Sequence, residues 1–484
     1  MEELDIATVT RRSIQGVFAF VTRSFLIQII TIVANFLLTI YLTEQEYGIF
    51  FIVSAAIAFL TYFSDIGLAA ALIQKKDEVT EEELKTTFTI QQLLVGTAVI
   101  VALVLSGQVG KFYNLESEGI FLFQALVISF FFSSLKTIPS VLLERKLQFQ
   151  RLVIPQIIET TVYNIVLLYM AINGYGIVSF TYAVLARGVI GLIAMYFIKP
   201  WMPGISFSRS TASRLLKFGV PFQANSFLAL LKDDLLIIYL GKVLPFGQVG
   251  YIAFAQKYAF QPLRLVMDNI IRITFPSFSR LSDDKEYLGK AIEKTMFATS
   301  LVIFPSLIGM VVMMPHFIEI IPRYQKWEPA LLALTFFAIN AGLSSISTPL
   351  TNALNAMGKV KVTLYLMIFW TVLTWVLTPV AIMLYGFNGV AAVSAVVATS
   401  VVLVIHLMKR YVSFRVLPVI IFPLISAVIM GGVLYALAPI IVINVPTFIL
   451  TVIIGAIIYI GMLFLTKKDL IMSDARFILA NLKK

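Results

Sequence analysis

Long apolar runs dominate this chain of 484 residues and restrict what it can fold into. Hydrophobic residues make up 59% of the sequence and charged residues only 13%, a balance far more apolar than that of soluble domains. About 20 apolar residues cross the roughly 30 Å hydrocarbon core as a helix, which satisfies its own backbone hydrogen bonds in lipid. The runs predict an all-α polytopic membrane protein with fourteen transmembrane helices, at residues 15–42, 47–74, 86–109, 117–143, 152–173, 176–198, 214–241, 247–275, 289–315, 328–357, 361–385, 388–408, 416–438 and 445–466.

Lys and Arg are divided unequally between the two sets of loops. With the N-terminus in the cytoplasm, 26 of the 37 lie in cytoplasmic segments, 4 in outer loops and 7 within the predicted spans. The positive-inside rule therefore predicts a multi-pass protein of the inner or plasma membrane with both termini cytoplasmic. Because these cations face an anionic leaflet, the net charge of +11 does not indicate nucleic-acid binding. No small-residue cleavage signal follows the first apolar run, so the first span is expected to stay in the mature protein.

Several chemistries are disfavoured by what the sequence lacks. It contains no Cys and only two His, far apart at His316 and His406, so neither a disulfide nor a metal site is expected. No GxxxxGK[ST] phosphate loop occurs, and no outer connection exceeds about 15 residues. We therefore predict no catalytic residues, no cofactor and no enzyme activity. Any energy that the protein uses would come from an ion gradient, from consumption of a substrate or from another subunit.

One predicted span carries a charged stripe. Ionisable side chains cost at least about 2.5 kcal/mol each at the bilayer centre, so several on one face indicate a wet cavity, a partner helix or a polar ligand. At roughly 100° per residue, one sector of the helix at 247–275 contains Lys257, Gln261, Arg264, Asp268 and Arg272. This pattern favours movement of a polar or anionic molecule.

Two parts of the sequence repeat each other. The pattern LLxIYL closes the first helix at Leu42 and recurs 198 residues later at Leu240, and Gly48 and Gly250 open the helices that follow. A repeat of six helices predicts two parallel bundles around a central cavity. The predicted domains are an N-terminal lobe at 1–198, a cytoplasmic linker at 199–213, a C-terminal lobe at 214–411, and at 412–484 two extra transmembrane helices with a cytoplasmic amphipathic tail.

Several short stretches carry a family resemblance. They are Glu46-Tyr47-Gly48, Ser64-Asp65-Ile66-Gly67-Leu68, Ala71-Leu72-Ile73-Gln74-Lys75-Lys76-Asp77, Leu143-Glu144-Arg145-Lys146-Leu147-Gln148-Phe149, Gln261-Pro262-Leu263-Arg264, Phe275-Pro276-Ser277-Phe278-Ser279-Arg280-Leu281, Trp327-Glu328-Pro329-Ala330 and Asn352-Ala353-Leu354-Asn355-Ala356-Met357-Gly358. Over residues 10–410 the chain resembles polysaccharide flippases of the O-antigen and colanic-acid type, in the multidrug/oligosaccharidyl-lipid/polysaccharide (MOP) exporter superfamily. The resemblance implies a MATE/MOP-like bundle of twelve core helices plus two. It also implies that a polyprenyl-diphosphate-linked oligosaccharide is moved from the cytoplasmic to the outer leaflet by alternating access.

The charges within the spans are the candidate site residues. Seven cations against five acids leave a surplus of +2, which fits an anionic cargo. The alternatives are that Arg264 only pairs with Asp268, and that the acids only neutralise the cations. The predicted substrate-binding cations are Arg23, Arg187, Lys232, Lys257, Arg264 and Arg272. The candidates for Na+ or H+ coupling are Asp65, Glu159, Asp233, Asp234 and Asp268.

A second transporter class competes with the flippase. A cation-coupled multidrug antiporter of the same superfamily would need an acidic or apolar cavity, and the surplus of Lys and Arg argues against one. A membrane polymerase or ligase would need a sizeable outer loop, which the sequence lacks. The expected partners are the lipid-linked oligosaccharide and the bilayer, with other polysaccharide-assembly membrane proteins as candidates. The chain is expected to act as a monomer.

Overall fold

The computed structural model describes residues 27–65, 67–75 and 77–482, and regular structure there is helical. The α-helices are α1 (Ile27–Tyr41), α2 (Glu44–Asp65), α3 (Leu68–Gln74), α4 (Glu81–Val104), α5 (Ser106–Tyr113), α6 (Ser117–Leu135), α7 (Thr137–Arg145), α8 (Phe149–Ile172), α9 (Val178–Ile198), α10 (Arg209–Lys232), α11 (Asp234–Val243), α12 (Phe246–Arg280), α13 (Lys285–Ile320), α14 (Leu331–Ala356), α15 (Val360–Tyr385), α16 (Phe387–Ala398), α17 (Val401–Lys409), α18 (Leu417–Ile441) and α19 (Val445–Leu482). A 3-10 helix, Gln325–Ala330, precedes α14.

Eleven helical segments in the described part are long and apolar enough to cross a membrane. Three predicted spans are not among them. The span at 15–42 lies partly outside the described residues, and those at 214–241 and 247–275 are helices that carry several charges. The all-α polytopic class is confirmed, whereas the count of fourteen spans stays a prediction.

Five predicted spans are interrupted, and the one at 86–109 breaks at Leu105. The one at 47–74 breaks at Gly67, which has a left-handed backbone with φ of 70°, a conformation that glycine adopts without steric cost. The others break at Lys136, at Asp233 and between Ala398 and Val401. Interruptions within membrane helices leave backbone groups that other parts of the protein must satisfy. Two of these breaks lie at charged residues.

The start of α4 shows how local chemistry sets a helix boundary. The predicted span begins at 86, but the helix begins at Glu81. The Thr80 side chain accepts a hydrogen bond from Glu83 N, and the Glu83 carboxylate accepts one from Thr80 N at 2.9 Å. This capping box satisfies two backbone donors that would otherwise lack partners. The polar first turn therefore belongs to the helix, although an apolar run does not include it.

The chain divides into two compact units, Met1–Gly250 and Tyr251–Lys484. In the first unit α8 and α6 pack against α9, and α11 packs against α2. The predicted lobe boundaries at 198 and 214 stay a prediction.

The second unit has a core shared by seven helices. Residues from α12, α13, α14, α15, α17, α18 and α19 form one buried cluster, which includes Met296, Leu350, Val404, Leu434 and Tyr459. The Tyr459 hydroxyl donates to the carbonyl of Leu301 at 2.8 Å. The two helices that follow residue 411 are thus integral to this unit.

Candidate functional site

Three charged side chains meet inside the first unit. Glu159 on α8 is buried, and Lys136, at the break between α6 and α7, places its Nζ 2.5 Å from Glu159 Oε1. Arg187 on α9 places its Nε 3.8 Å from Glu159 Oε2. One carboxylate therefore serves two cations and leaves a net charge of +1. Sequence reasoning left Lys136 out of the substrate-binding set, and the structure gives it a structural partner.

Gly191 makes room for this cluster. A Cβ at Gly191 would lie 2.4 Å from Cγ and Oε1 of Glu159, so the carboxylate occupies the space that a side chain would need. The Arg187 side chain is 52% exposed, and its guanidinium carbon lies 5.8 Å from the centroid of the Tyr163 ring. The cation–π contact and the carboxylate at 3.8 Å hold the Arg187 side chain in place. Other N–H groups of its guanidinium can still donate hydrogen bonds to a ligand. Of the predicted sites, Glu159 and Arg187 are thus brought together.

A second charged group occupies the break between α10 and α11. Lys232 Nζ lies 2.9 Å from Oδ1 of its neighbour Asp233, whose side chain is mostly exposed. Asp234 begins α11 and is half-buried. The salt bridge is between adjacent residues at a point where the helix is interrupted. The structure therefore holds these three predicted residues in one turn.

The charged stripe of α12 lies on a continuous helix. Lys257 is half-buried, and Arg264, Asp268 and Arg272 are exposed. Among the described residues, no carboxylate lies within 4.0 Å of Arg264, so the alternative of an Arg264–Asp268 ion pair does not hold in this structure. Arg264 and Lys257 interact as like charges. Two cations on one sector of this helix would suit an anion with several oxygens.

Aromatic residues pack against the N-terminal half of α12. Phe254 is fully buried and stacks on Trp327 with ring centroids 4.5 Å apart. The hydroxyl groups of Tyr258 and Tyr324 lie 2.9 Å apart. These contacts tie the 3-10 segment and the turn before it to α12. Phe254 therefore contributes to packing, and its ring has no exposed face.

The two glycines of the sequence repeat face each other. A Cβ on Gly48 would lie 1.9 Å from the carbonyl oxygen of Phe246, and a Cβ on Gly250 would lie 1.9 Å from the carbonyl oxygen of Glu44. Each carbonyl belongs to the residue four positions before the opposite glycine, so the contact is reciprocal. Such an approach of two helix starts is open only to residues without a side chain.

A buried acid in the first turn of α4, at the predicted cytoplasmic end of this helix, was not among the predicted site residues. Glu83 is 3% exposed and forms ion pairs with Lys75, at 2.9 Å, and with Arg214. Arg145 donates to the carbonyl groups of Leu72, Lys75 and Asp77 and so holds the turn after α3. The Thr-x-x-Glu capping pattern could have identified Glu83. The long-range partners have no local signal.

Two predicted site residues are not placed. Arg23 lies outside the described residues, and the side chain of Asp65, at the end of α2, is not described. Their roles stay predictions.

Comparison with known proteins identifies the family. The sequence profile described as "Polysaccharide biosynthesis protein" matches residues 37–332. The chain belongs to this family. It is 25% identical over 342 residues to the lipopolysaccharide biosynthesis protein WzxC of Escherichia coli strain K12, which covers 68% of this chain and 67% of that protein. It is 21% identical over 445 residues to the succinoglycan biosynthesis transport protein ExoT of Rhizobium meliloti strain 1021, covering 89% and 88% of the two chains.

Solved structures agree with the helical architecture. The lipid II flippase MurJ in an inward closed conformation matches with a TM-score of 0.76 and 16% identity, over 93% of this chain and 99% of that one. An inward-facing MATE family multidrug transporter matches with a TM-score of 0.60 and 14% identity, over 78% and 94%. The MurJ/MATE-like fold is thus confirmed. This family member is a multi-pass membrane protein of polysaccharide biosynthesis.

Proposed function

We propose that this family member is a flippase that moves a polyprenyl-diphosphate-linked oligosaccharide from the cytoplasmic to the outer leaflet by alternating access. Both termini are cytoplasmic in this proposal, following the charge bias of the loops. The head of such a substrate combines sugar hydroxyls with a diphosphate. Each unsatisfied polar group would cost several kcal/mol in hydrocarbon, so the protein must supply hydrogen-bond donors and positive charge along a wet path. The lipid tail can stay in the bilayer.

The proposal rests mainly on the exposure of Arg264 and on its lack of an ion-pair partner among the described residues. Arg264 is exposed on a helix predicted to span the membrane, and no described carboxylate lies within 4.0 Å of it. An exposed cation of this kind is costly against acyl chains, so it favours a water-filled path or an anionic ligand. Lys257 lies about two helical turns before Arg264 on the same sector and adds a compact second cation. Together they supply donors for the diphosphate.

Arg187 is the corresponding candidate in the first unit. Its cluster keeps a net charge of +1 after Glu159 is counted, and half of its side chain is exposed. Glu159 is already engaged by two cations, which makes it a weaker candidate for ion coupling than Asp234 or Asp268. We therefore assign phosphate contact to Arg187, Lys257 and Arg264, and we leave coupling to the acids on α11 and α12.

The test is leaflet exchange in liposomes. The full chain is reconstituted, and the exchange of a fluorescent polyprenyl-diphosphate oligosaccharide is measured. A hydrogen bond to a charged group contributes about 1.5–3 kcal/mol, so Lys257→Ala with Arg264→Ala should slow exchange at least about 100-fold. Arg280→Ala, an exposed cation at the end of the same helix, is the matched control and should leave the rate unchanged. Full activity of the double variant would refute the assignment.

A multidrug antiporter is the second candidate. It would expel a cationic dye from the same liposomes in exchange for Na+ or H+, and it would do so without lipid-linked glycan. Dye export together with glycan exchange at the rate of empty liposomes would replace the flippase with the antiporter. A glycan exchange rate independent of both the Na+ and the pH gradient would reject coupling through the acids.

A further inference from the structure

An apolar groove lies on the second unit, between α15 and the interrupted pair α16–α17. Its volume is about 630 Å³, within the range of roughly 300–1,000 Å³ typical of ligand sites. The walls come from Phe369, Leu373, Leu377, Val396, Val402 and Leu403, and His406 closes one end. The polar groups at the helix interruption are engaged, since Trp370 Nε1 donates to Ser400 Oγ at 2.7 Å and Thr399 Oγ1 donates to the carbonyl of Val396 at 2.7 Å. The groove thus offers a mainly hydrocarbon surface.

The length of the groove fits one leaflet. From Val396 to His406 there are ten residue steps, or about 15 Å at 1.5 Å per residue. The hydrocarbon core is about 30 Å thick, so one leaflet contributes about 15 Å. The groove therefore accommodates the acyl chain of an ordinary bilayer lipid, and a polyprenyl chain would extend well beyond it.

Positive charge surrounds the end that His406 closes, and among the described residues no carboxylate lies within 4.0 Å of its Lys and Arg side chains. The nearby Glu293 accepts a hydrogen bond from Arg415 N at 2.7 Å. Lys409 ends α17 and Arg410 follows it, with Arg410 Nη2 3.3 Å from His406 Nε2. Lys359 at the start of α15 places its Nζ 5.3 Å from the centroid of the Tyr411 ring, so cations of both walls share one end. The sequence contains no Asp or Glu between Glu328 and Asp469. No carboxylate from that stretch can therefore neutralise these cations.

We propose that this groove binds an anionic phospholipid, with an acyl chain between α15 and α16–α17 and the phosphate among His406, Lys409, Arg410 and Lys359. In the proposed orientation this lipid belongs to the cytoplasmic leaflet. A second copy of the chain is a poorer occupant, because a two-fold interface would place each cationic end against its own counterpart. The inference does not depend on which glycan the transporter carries.

The test is lipid retention in native mass spectrometry. The full chain in detergent is given equal amounts of phosphatidylglycerol and phosphatidylcholine, and we expect selective retention of one phosphatidylglycerol. Each Lys or Arg near an anionic lipid contributes about a fivefold preference, so Lys409→Ala with Arg410→Ala should weaken retention about 30-fold. Val397→Phe, which fills the groove and leaves every charge in place, should also reduce retention. Both variants keep their lipid if the inference is wrong.

The matched control removes two cations elsewhere. Lys285 and Lys294 are exposed on α13 with Asp283, Asp284, Glu286 and Glu293 close in sequence, so Lys285→Ala with Lys294→Ala should leave retention unchanged. Equal retention of phosphatidylcholine would overturn the charge argument. Displacement by a polyprenyl phosphate would assign the groove to the substrate tail, and dimers that replace the lipid would assign it to a second copy. Displacement by inorganic phosphate alone would reduce the site to its cations.

Discussion

The reciprocal contact of Gly48 and Gly250 predicts that one methyl group at Gly48 will shift the balance between conformations. A Cβ there would lie 1.9 Å from the carbonyl oxygen of Phe246, whereas ordinary contacts begin at 3.4 Å. Gly48→Ala must therefore separate the two helix starts by about 1.5 Å. The obstructing atom belongs to the backbone, so a change of side-chain rotamer cannot relieve the overlap.

The magnitude follows from the cost of overpacking. Forcing an extra methyl group into a close-packed contact costs about 1–3 kcal/mol. If that cost falls only on the conformation in which the helix starts touch, its population relative to a separated conformation falls about 5- to 150-fold. If the proposed alternating access makes and breaks this contact, the rate of leaflet exchange changes as well.

Disulfide trapping measures this population directly, because the chain has no cysteine of its own. A Cβ at Gly247 would lie 3.4 Å from Glu44 Cγ, close enough for Glu44→Cys and Gly247→Cys to form a bridge. We expect rapid cross-linking with a mild oxidant and arrested exchange that a reductant restores. Gly48→Ala in this background should slow cross-linking by the same 5- to 150-fold.

Gly96→Ala is the matched control. No atom lies within 4 Å of a Cβ at Gly96 on α4, so the same substitution there should leave the cross-linking rate unchanged. An unchanged rate in Gly48→Ala would show that the close approach does not limit the contact. Continued exchange by the fully cross-linked protein would show that transport does not require this contact to open.

Three further substitutions test the other clusters. Glu159→Gln should lower the stability to thermal unfolding in detergent by about 3–5 kcal/mol, because it leaves the buried Lys136 without its carboxylate. Gly191→Ala should have a smaller effect of about 1–3 kcal/mol, since the added methyl group must displace that carboxylate. Arg145→Gln should increase trypsin cleavage after Lys75 several-fold, as the turn after α3 loses the donor to its carbonyl groups.

Each of these substitutions has a control in which the same change is made at a residue outside the cluster. Glu116→Gln at the exposed start of α6, Gly96→Ala and Arg151→Gln should each behave as the unmodified protein does. Unfolding temperatures of Glu159→Gln or Gly191→Ala equal to those of the controls would contradict the ion-pair account. Unchanged proteolysis of Arg145→Gln would mean that the turn is held by other contacts.

Most helix positions follow from apolar periodicity, while helix ends and interruptions depend on local polar chemistry. The predicted span at 152–173 and the helix Phe149–Ile172 agree within three residues at each end. The start of α4 differs by five residues because the Thr80–Glu83 capping box extends it. The breaks at Lys136 and Asp233 were not predicted, since hydropathy remains high across a charged residue flanked by apolar ones.

The candidate site could be predicted only as a set of residue types. Charge within an apolar run made Arg187, Lys257 and Arg264 candidates, because burial of an ion in a membrane has a large cost wherever it occurs. Which of them has a carboxylate could not be predicted. Glu159 pairs with Lys136 and Arg187 from 23 and 28 positions away, and Arg264 makes no ion pair with Asp268 four positions away within the described residues.

The sequence by itself determined the class of this protein: its membrane environment, the approximate positions of most of its helices and its membership of a polysaccharide biosynthesis family follow from hydropathy and short motifs, which are local properties. The tertiary structure decided which charges are neutralised and where backbones touch. Gly48 and Gly250 are far apart in the chain, and Glu44 and Phe246 approach them only after the helices have packed. Ion pairing and close packing depend on distances in space, and a pattern along one chain does not contain them.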